Sequence, residues 1–205
     1  KISWTRGLKG CLAKHKEIKY SDDYCRYAVY RPFCKQHLYA QSEWIESFSL
    51  SPKLFPNADT ENRVICVSGS GSSKDFTALM TDSMTGLDTI EKNQMFPLYY
   101  WEEPKGNDLF SALERKDGIT QWAHSEAKRI YGSTIKKEQI FYYVYGLLHS
   151  KSYRDCFRND LKKSLPKILF VSEYDTFKAF EKAGRDLAEL HLNYETHTKR
   201  AKGVK

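Results

Sequence analysis

The sequence predicts an α+β fold, with a strand-rich part over residues 1–115 and a helical subdomain over residues 116–205, together one unit. Three observations carry this reading. Residues 1–110 show no sustained helical periodicity, and their β-branched and aromatic runs are short and bounded by Pro, Gly, Asp or Asn. From about residue 119 apolar residues recur in threes and fours instead. The composition, 40% apolar and 14% aromatic over 205 residues, is ample for a core.

In the first part, residues Tyr27 to Tyr30, Gln36 to Tyr39, Arg63 to Val67 and Phe96 to Trp101 read as strands. Between them Ser68-Gly69-Ser70-Gly71-Ser72-Ser73 reads as a flexible loop of small side chains. It is not a phosphate-binding loop, because Lys74 is followed by Asp75 and Phe76 rather than by the Ser or Thr that opens a helix in that motif.

In the second part, Ile119, Trp122, Ala123, Ala127 and Ile130 mark one core helix, and Ile140, Phe141, Val144, Leu147 and Leu148 a second with a broad apolar face. Ser150 is an N-cap for a third, in which Tyr153, Phe157, Leu161 and Leu165 recur every fourth residue until Pro166 stops it. A fourth helix starts near Glu173, with an apolar stripe of Tyr174, Phe177, Phe180, Leu187, Leu190 and Tyr194. Residues Lys199 to Lys205 lose the pattern and read as a frayed basic tail.

The net charge of +7 is unevenly placed. Residues 1–40 hold nine Lys and Arg against three Asp and Glu, residues 41–110 five against eleven, residues 111–170 twelve against six, and residues 171–205 seven against six. Two basic segments flanking an acidic one present a positive surface to a polyanion, or else are ordinary solvated charge. No run approaches the roughly 20 apolar residues of a membrane span, so no membrane partner is expected. Five cysteines at irregular spacing argue against a disulfide framework and for a reducing, cytoplasmic setting. The first residue is Lys1, with no initiator Met and no signal peptide, so the chain reads as a segment of a longer polypeptide.

Catalytic signatures are missing. Asp22-Asp23 and Glu102-Glu103 are adjacent pairs whose side chains diverge, which suits solvated turns better than acid–base work. The six His residues follow no metal-site spacing, Cys34-Lys35-Gln36-His37 has no second pair to complete a zinc site, and His149 reads as the end of a helix rather than a base. The chain is therefore read as a binding module and not an enzyme, with no metal or cofactor of its own. Basic, amide and aromatic groups are interleaved around Arg6, Lys9, Arg31, Lys35 and Gln36, where Lys and Arg neutralise phosphates and Gln reads adenine edges, while Phe33 and Tyr39 read as core. On the third helix Lys151, Arg154, Arg158 and Lys162 share one side, roughly 85° from the apolar stripe at about 100° per residue, a border position from which Arg154, Arg158 and Lys162 reach phosphate or snorkel along the core edge.

Several segments carry a resemblance. Trp4-Thr5-Arg6-Gly7-Leu8-Lys9, Tyr30-Arg31-Pro32-Phe33-Cys34-Lys35, Phe96-Pro97-Leu98-Tyr99, Ile140-Phe141-Tyr142-Tyr143-Val144-Tyr145-Gly146-Leu147-Leu148-His149-Ser150, Tyr153-Arg154, Asp160-Leu161-Lys162-Lys163-Ser164-Leu165-Pro166 and Leu187-Ala188-Glu189-Leu190-His191-Leu192-Asn193-Tyr194-Glu195 occur in that order almost end to end. Together they resemble the C-terminal target-recognition (specificity) domain of type ISP single-polypeptide restriction-modification enzymes. At Lys167-Ile168-Leu169 that family usually has Arg-Ile-Pro, so no Arg-specific role carries over there.

The resemblance implies a domain that selects the site on double-stranded DNA for adenine N6 methylation and for motor-driven cleavage. Methyltransferase and helicase domains of the same polypeptide are its implied partners. S-adenosylmethionine, ATP and Mg are then expected in those other domains, since the methyltransferase signature and a glycine-rich cofactor loop are absent here. The alternative is a structural or coupling domain that packs on the methyltransferase or motor and touches DNA little. On that reading the acidic segment 41–110 faces a protein partner.

Overall fold

The computed structural model describes residues 4–48, 50–104 and 112–196. Helix α1 (Arg6–Ala13) precedes the hairpin β1 (Cys25–Arg31) and β2 (Cys34–Tyr39), and a short helix α2 (Ser51–Leu54) follows. Strands β3 (Val64–Val67), β4 (Ala78–Thr81), β5 (Met84–Thr85), β6 (Gln94–Pro97), β7 (Tyr99–Glu102) and β8 (Glu114–Asp117) come next. The remainder is helical: α3 (Gln121–Tyr131), α4 (Lys137–His149), α5 (Lys151–Cys156), α6 (Arg158–Lys163) and α7 (Tyr174–Leu192). The α+β class holds, with strands gathered in the first half.

Three small sheets result among the described residues. In the first, β1 pairs antiparallel with β2, with Tyr27 opposite His37 and Val29 opposite Lys35, and parallel with β5. In the second, β3 lies between β4 and β6, antiparallel to both. The third is the β7–β8 hairpin. Strand β3 is buried on both faces, and its alternation divides two cores. Val64 and Cys66 join Leu54, Phe55, Leu79, Met84 and Ile90 on one side, while Ile65 and Val67 join the aromatic core of α4 and α7 on the other. The helices thus use the second sheet as their floor, and the strand-rich and helical parts share a core.

The aromatic core holds the returning chain as well as the helices. Buried Tyr143 donates to the Leu169 carbonyl at 2.5 Å, Tyr153 to that of Lys167 at 2.8 Å, and half-buried Tyr131 to that of Val171 at 2.6 Å. These bonds satisfy hydroxyls that burial would otherwise leave unpaired. They also strap residues 167–171 across the helices through backbone atoms, so the strap uses no side chain of those residues.

The structure corrects several expectations. Helix α1 stands in the strand-rich part, where no helix was assigned, started by Thr5, whose hydroxyl accepts from the Leu8 N–H at 3.1 Å. The run Phe96 to Trp101 is two strands, because Pro97 has no N–H to continue the ladder and Leu98 turns the chain from β3 to β8. The third helix is two, α5 and α6, broken at Phe157 (φ −101°, ψ 15°), whose ring sets 4.9 Å from that of Tyr153. Ser150 caps α5 as expected, but Leu165 lies beyond α6 and is exposed. Trp122 is 74% exposed and outside the core. On α7 the buried line is Phe177, Glu181, Gly184 and Ala188, while Tyr174 and Leu190 face out. Helix α4 approaches so closely there that only small residues fit between the helices.

Two more expectations change. Phe33 is 45% exposed and is not core, since it occupies the hairpin turn with φ +58°. The loop from Ser68 to Ser73 is tied down by hydrogen bonds: Gly71 N donates to Lys162 O at 3.2 Å, Ser70 Oγ to Lys163 O at 2.6 Å, and Ser72 and Ser73 to the Glu91 carboxylate. The basic tail from Lys199 to Lys205 lies outside the described residues.

Candidate nucleic-acid interface

The sequence-nominated residues fall in three places. Arg6 and Lys9 are exposed on α1. The Arg6 backbone N–H donates to Glu46 Oε2 at 2.9 Å and its Nε to Oε1 at 2.5 Å, and these bonds, with the nearby charge of Lys9, hold the Glu46 carboxyl below its ordinary range. Helix α1 is itself fixed to the turn after β2, where Thr5 donates to the Glu43 carbonyl.

The second group is at the hairpin. Lys35 Nζ pairs with Asp82 Oδ1 at 3.1 Å. Arg31, at the end of β1, donates from Nη1 to the Asp88 carbonyl at 2.7 Å and to the Tyr30 carbonyl at 3.1 Å, and its guanidinium lies 4.4 Å from the centre of the Tyr30 ring. The loop carrying Asp88 is in turn stitched to β1, since Thr89 Oγ1 donates to the Val29 carbonyl at 2.6 Å. Gln36 sits opposite Ala28, exposed, its side chain making no hydrogen bond to any described residue. Tyr30, Arg31, Gln36, Asp88 and Thr89 line an open groove of about 410 Å³.

The third group is on α5 and α6. Arg154 is half-buried: its Nε donates to the Leu148 carbonyl at 2.6 Å, its Nη2 lies 3.3 Å from His149 Nδ1, and its guanidinium is 5.6 Å from the Phe76 ring. It supports the end of α4 more than it faces outward. Arg158 pairs with Asp155 at 2.6 Å and Lys162 with Asp75 at 3.7 Å, and Lys151 shares Asp155 with Arg158. Although the helix breaks at Phe157, Arg154, Arg158 and Lys162 still line one open pocket, together with Asp75 and Asp155.

The ends of α4 and α7 bring the hairpin tip and the α5–α6 group together. The Phe33 ring meets His191 at 5.2 Å and Tyr194 at 5.4 Å; His191 stands 5.6 Å from His149, which touches Arg154. Tyr145 Oη and His191 Nδ1 are 2.5 Å apart. Burial, helped by the charges of Arg154 and His191, pushes His149 down to about 4, and burial also lowers His191. Arg6 and Lys9 lie apart from this cluster, at the other end of β2, roughly 20 Å along a six-residue strand.

The acidic segment answers the basic ones. Arg6 with Glu46, Lys16 with Glu43, Lys35 with Asp82 and Lys162 with Asp75 all join a flanking basic segment to a carboxylate of residues 41–110. Sequence reasoning missed these partners, as it missed Asp88 beside Arg31. Asp88 lies 57 positions along the chain from Arg31 and marks no motif.

No three His, Cys, Asp or Glu side chains among the described residues are grouped to hold a metal ion. Cys34 and His37, three apart on β2, point to opposite faces of the strand. All five cysteines are free thiols. Among the described residues, no helix is long and apolar enough to cross a membrane.

Comparison with known proteins gives one consistent result. The family model described as the Type ISP C-terminal specificity domain matches residues 1–205. The ATP-dependent Type ISP restriction-modification enzyme LlaBIII bound to DNA is similar over 95% of this chain and 12% of its own, at 31% identity and a TM-score of 0.78. The DrdV–DNA complex is similar over 95% of this chain and 18% of its own, at 32% identity and a TM-score of 0.83. A nuclease-deletion mutant of the Type ISP restriction-modification enzyme LlaGI, in complex with a DNA substrate mimic, is similar over 95% of this chain and 14% of its own, at 32% identity and a TM-score of 0.74. The chain therefore spans less than a fifth of each of these structures. No curated protein matches the sequence.

Proposed function

The chain belongs to the Type ISP C-terminal specificity domain family, and on that premise we propose that it is the DNA target-recognition domain of a restriction-modification polypeptide. The observation that carries this is the whole-length family match, joined to similarity over 95% of the chain with DNA-bound enzymes. In this reading the domain holds duplex DNA in register and reads bases beside the target. Other domains of the polypeptide methylate an adenine at N6 and drive cleavage by a motor, binding S-adenosylmethionine, ATP and Mg. An adenine must leave the stack to reach a methyltransferase pocket, so a separate grip on the flanking duplex keeps the register while it is out. This chain supplies the grip and no catalytic group. The five free thiols fit work in the reducing cytoplasm.

Exposed Lys9, with Arg6, Lys35, Arg158 and Lys162 once DNA competes with their carboxylate partners, contacts phosphate. Arg154, half-buried, braces the end of α4 and adds its charge to the pocket that Arg158 and Lys162 line. Arg31 and Gln36 face bases. The test is an exchange of this domain, in the full-length polypeptide, for that of a relative with another target. The methylated sequence should change while methylation persists. A folded chimera that keeps its original site removes target recognition from this domain.

A second reading, a coupling domain packed on the methyltransferase or motor, is favoured by a different face. Tyr20, 69% exposed, stacks on Tyr39 at 5.3 Å, and Tyr39 meets Trp44, 51% exposed, at 6.1 Å. The neighbouring carboxylates Asp22, Asp23 and Glu43 repel phosphate, so this aromatic face suits protein contact. This face adjoins α1 through the bond from Thr5 to Glu43, and is separate from the hairpin tip and the α5–α6 group.

A further inference from the structure

We propose that Arg31 is a specificity-determining residue that reads a guanine, and that Gln36 reads a base next to it. The inference rests on the target-recognition reading and assigns its base-reading groups. The nominated residues are not equivalent. Arg6, Lys35, Arg158 and Lys162 each have a carboxylate partner, and Arg154 is half-buried against backbone and ring atoms. Arg31 is exposed and makes no ion pair with a described residue, yet it is held in place. Two carbonyls, those of Tyr30 and Asp88, take hydrogen bonds from Nη1 alone, and the Tyr30 ring supports the guanidinium 4.4 Å away.

This arrangement fixes the plane of the guanidinium without neutralising its charge. It leaves the Nε–Nη2 edge with no hydrogen bond to any described residue. Two parallel N–H donors in a rigid fork match the O6 and N7 acceptors that guanine presents in the major groove, and no other base presents two acceptors there. Because the rotamer is already ordered, binding loses little side-chain entropy, which favours geometric selection over loose charge contact.

Gln36 supplies a second and different edge in the same groove of about 410 Å³. Its amide, with one acceptor and two donors and no described partner, matches the N7 acceptor and N6 donor of adenine. The hairpin that carries both residues is anchored from behind. Phe33 packs on His191 and Tyr194, and Lys35 pairs with Asp82. A two-stranded ribbon is of a size that the major groove admits.

The experiment uses the full-length polypeptide and a pool of duplexes randomised across the target. Bound sequences are counted for the wild type, Arg31→Lys, Arg31→Ala and Gln36→Ala, after thermal denaturation has shown that each variant folds. Arg31→Lys keeps the stem and charge, so it decides alone if Arg31→Ala does not fold. Both Arg31 variants should lose roughly 10- to 100-fold of the preference for guanine at one position and keep the rest of the target. Gln36→Ala should relax an adjacent position.

Three results would overturn the proposal. In one, both Arg31 variants retain every preference, and a shallower salt dependence of Arg31→Ala then makes Arg31 a phosphate contact. In another, the relaxed position is a base other than guanine. In the third, the wild type itself shows no preference, and then the target-recognition reading fails along with this one.

Discussion

Gly146 of α4 and Gly184 of α7 face each other across a crossing so close that a Cβ on Gly184 would lie 2.9 Å from the Gly146 nitrogen and 2.0 Å from the Tyr142 oxygen. A Cβ on Gly146 would lie 2.2 Å from the Phe180 oxygen. The obstructing atoms are backbone, so they cannot swing away. In an open helix Gly→Ala would stabilise by about 1 kcal/mol. Here Gly184→Ala and Gly146→Ala should each destabilise by about 1–3 kcal/mol net, lowering Tm by roughly 3–10 °C. Thermal denaturation of the variants checks this, and an unchanged or raised Tm would place the two helices further apart than described.

DNA affinity should fall steeply with salt if the basic surface neutralises phosphates, with a log–log slope near −4 to −5 for about four to six contacts. Lys9→Ala should weaken binding to all sequences alike and reduce that slope by about one. Glu46→Gln should act in the opposite sense, because it removes the carboxylate that now pairs with Arg6 at 2.5 Å. Titrations at several salt concentrations decide. Unchanged affinity in both variants would take α1 out of the interface.

Stability should decline in mild acid because of the histidines at the ends of α4 and α7. Burial, with Arg154 and His191 nearby, lowers His149 from 6.5 to about 4, and burial lowers His191 too. The unfolded chain therefore binds more protons than the folded one between those values. Stability is complete above about pH 6.5 and is lost as pH falls towards 4. His149→Gln should flatten part of that slope in urea midpoints measured from pH 7 to 4.5. Glu91, held at about 2 by the Ser73 N–H and the Ser72 and Ser73 hydroxyls, acts in a separate window: its contribution is lost only below its ordinary 4.5. A His149→Gln profile that overlays the wild type would show that His149 titrates normally.

If the Tyr20–Tyr39–Trp44 face meets protein, Trp44→Ser in the full-length polypeptide should leave DNA affinity and its salt slope unchanged while loosening the domain from its neighbours. Limited proteolysis between the domains reads the second effect. A Trp44→Ser variant with weaker DNA binding and intact resistance to proteolysis would assign the face to DNA.

Local order along the chain was enough to read the α+β class, the change of period near residue 119, the aromatic run that became α4, the cap at Ser150 and the family. These depend on local alternation, helical spacing and contiguous motifs, which are properties of neighbouring residues. It did not show that the fourth-helix stripe would centre on Gly184 rather than Leu190, because α4 chose that face by backbone approach. Nor did it distinguish among the cations it nominated. Arg6, Lys35 and Lys162 look as available as Arg31 in the sequence, and only the folded chain brings Glu46, Asp82 and Asp75 to the first three and the Asp88 carbonyl to the last. Charge pairing over a few ångströms is decided by tertiary contacts between residues far apart in the chain, and no local pattern encodes it.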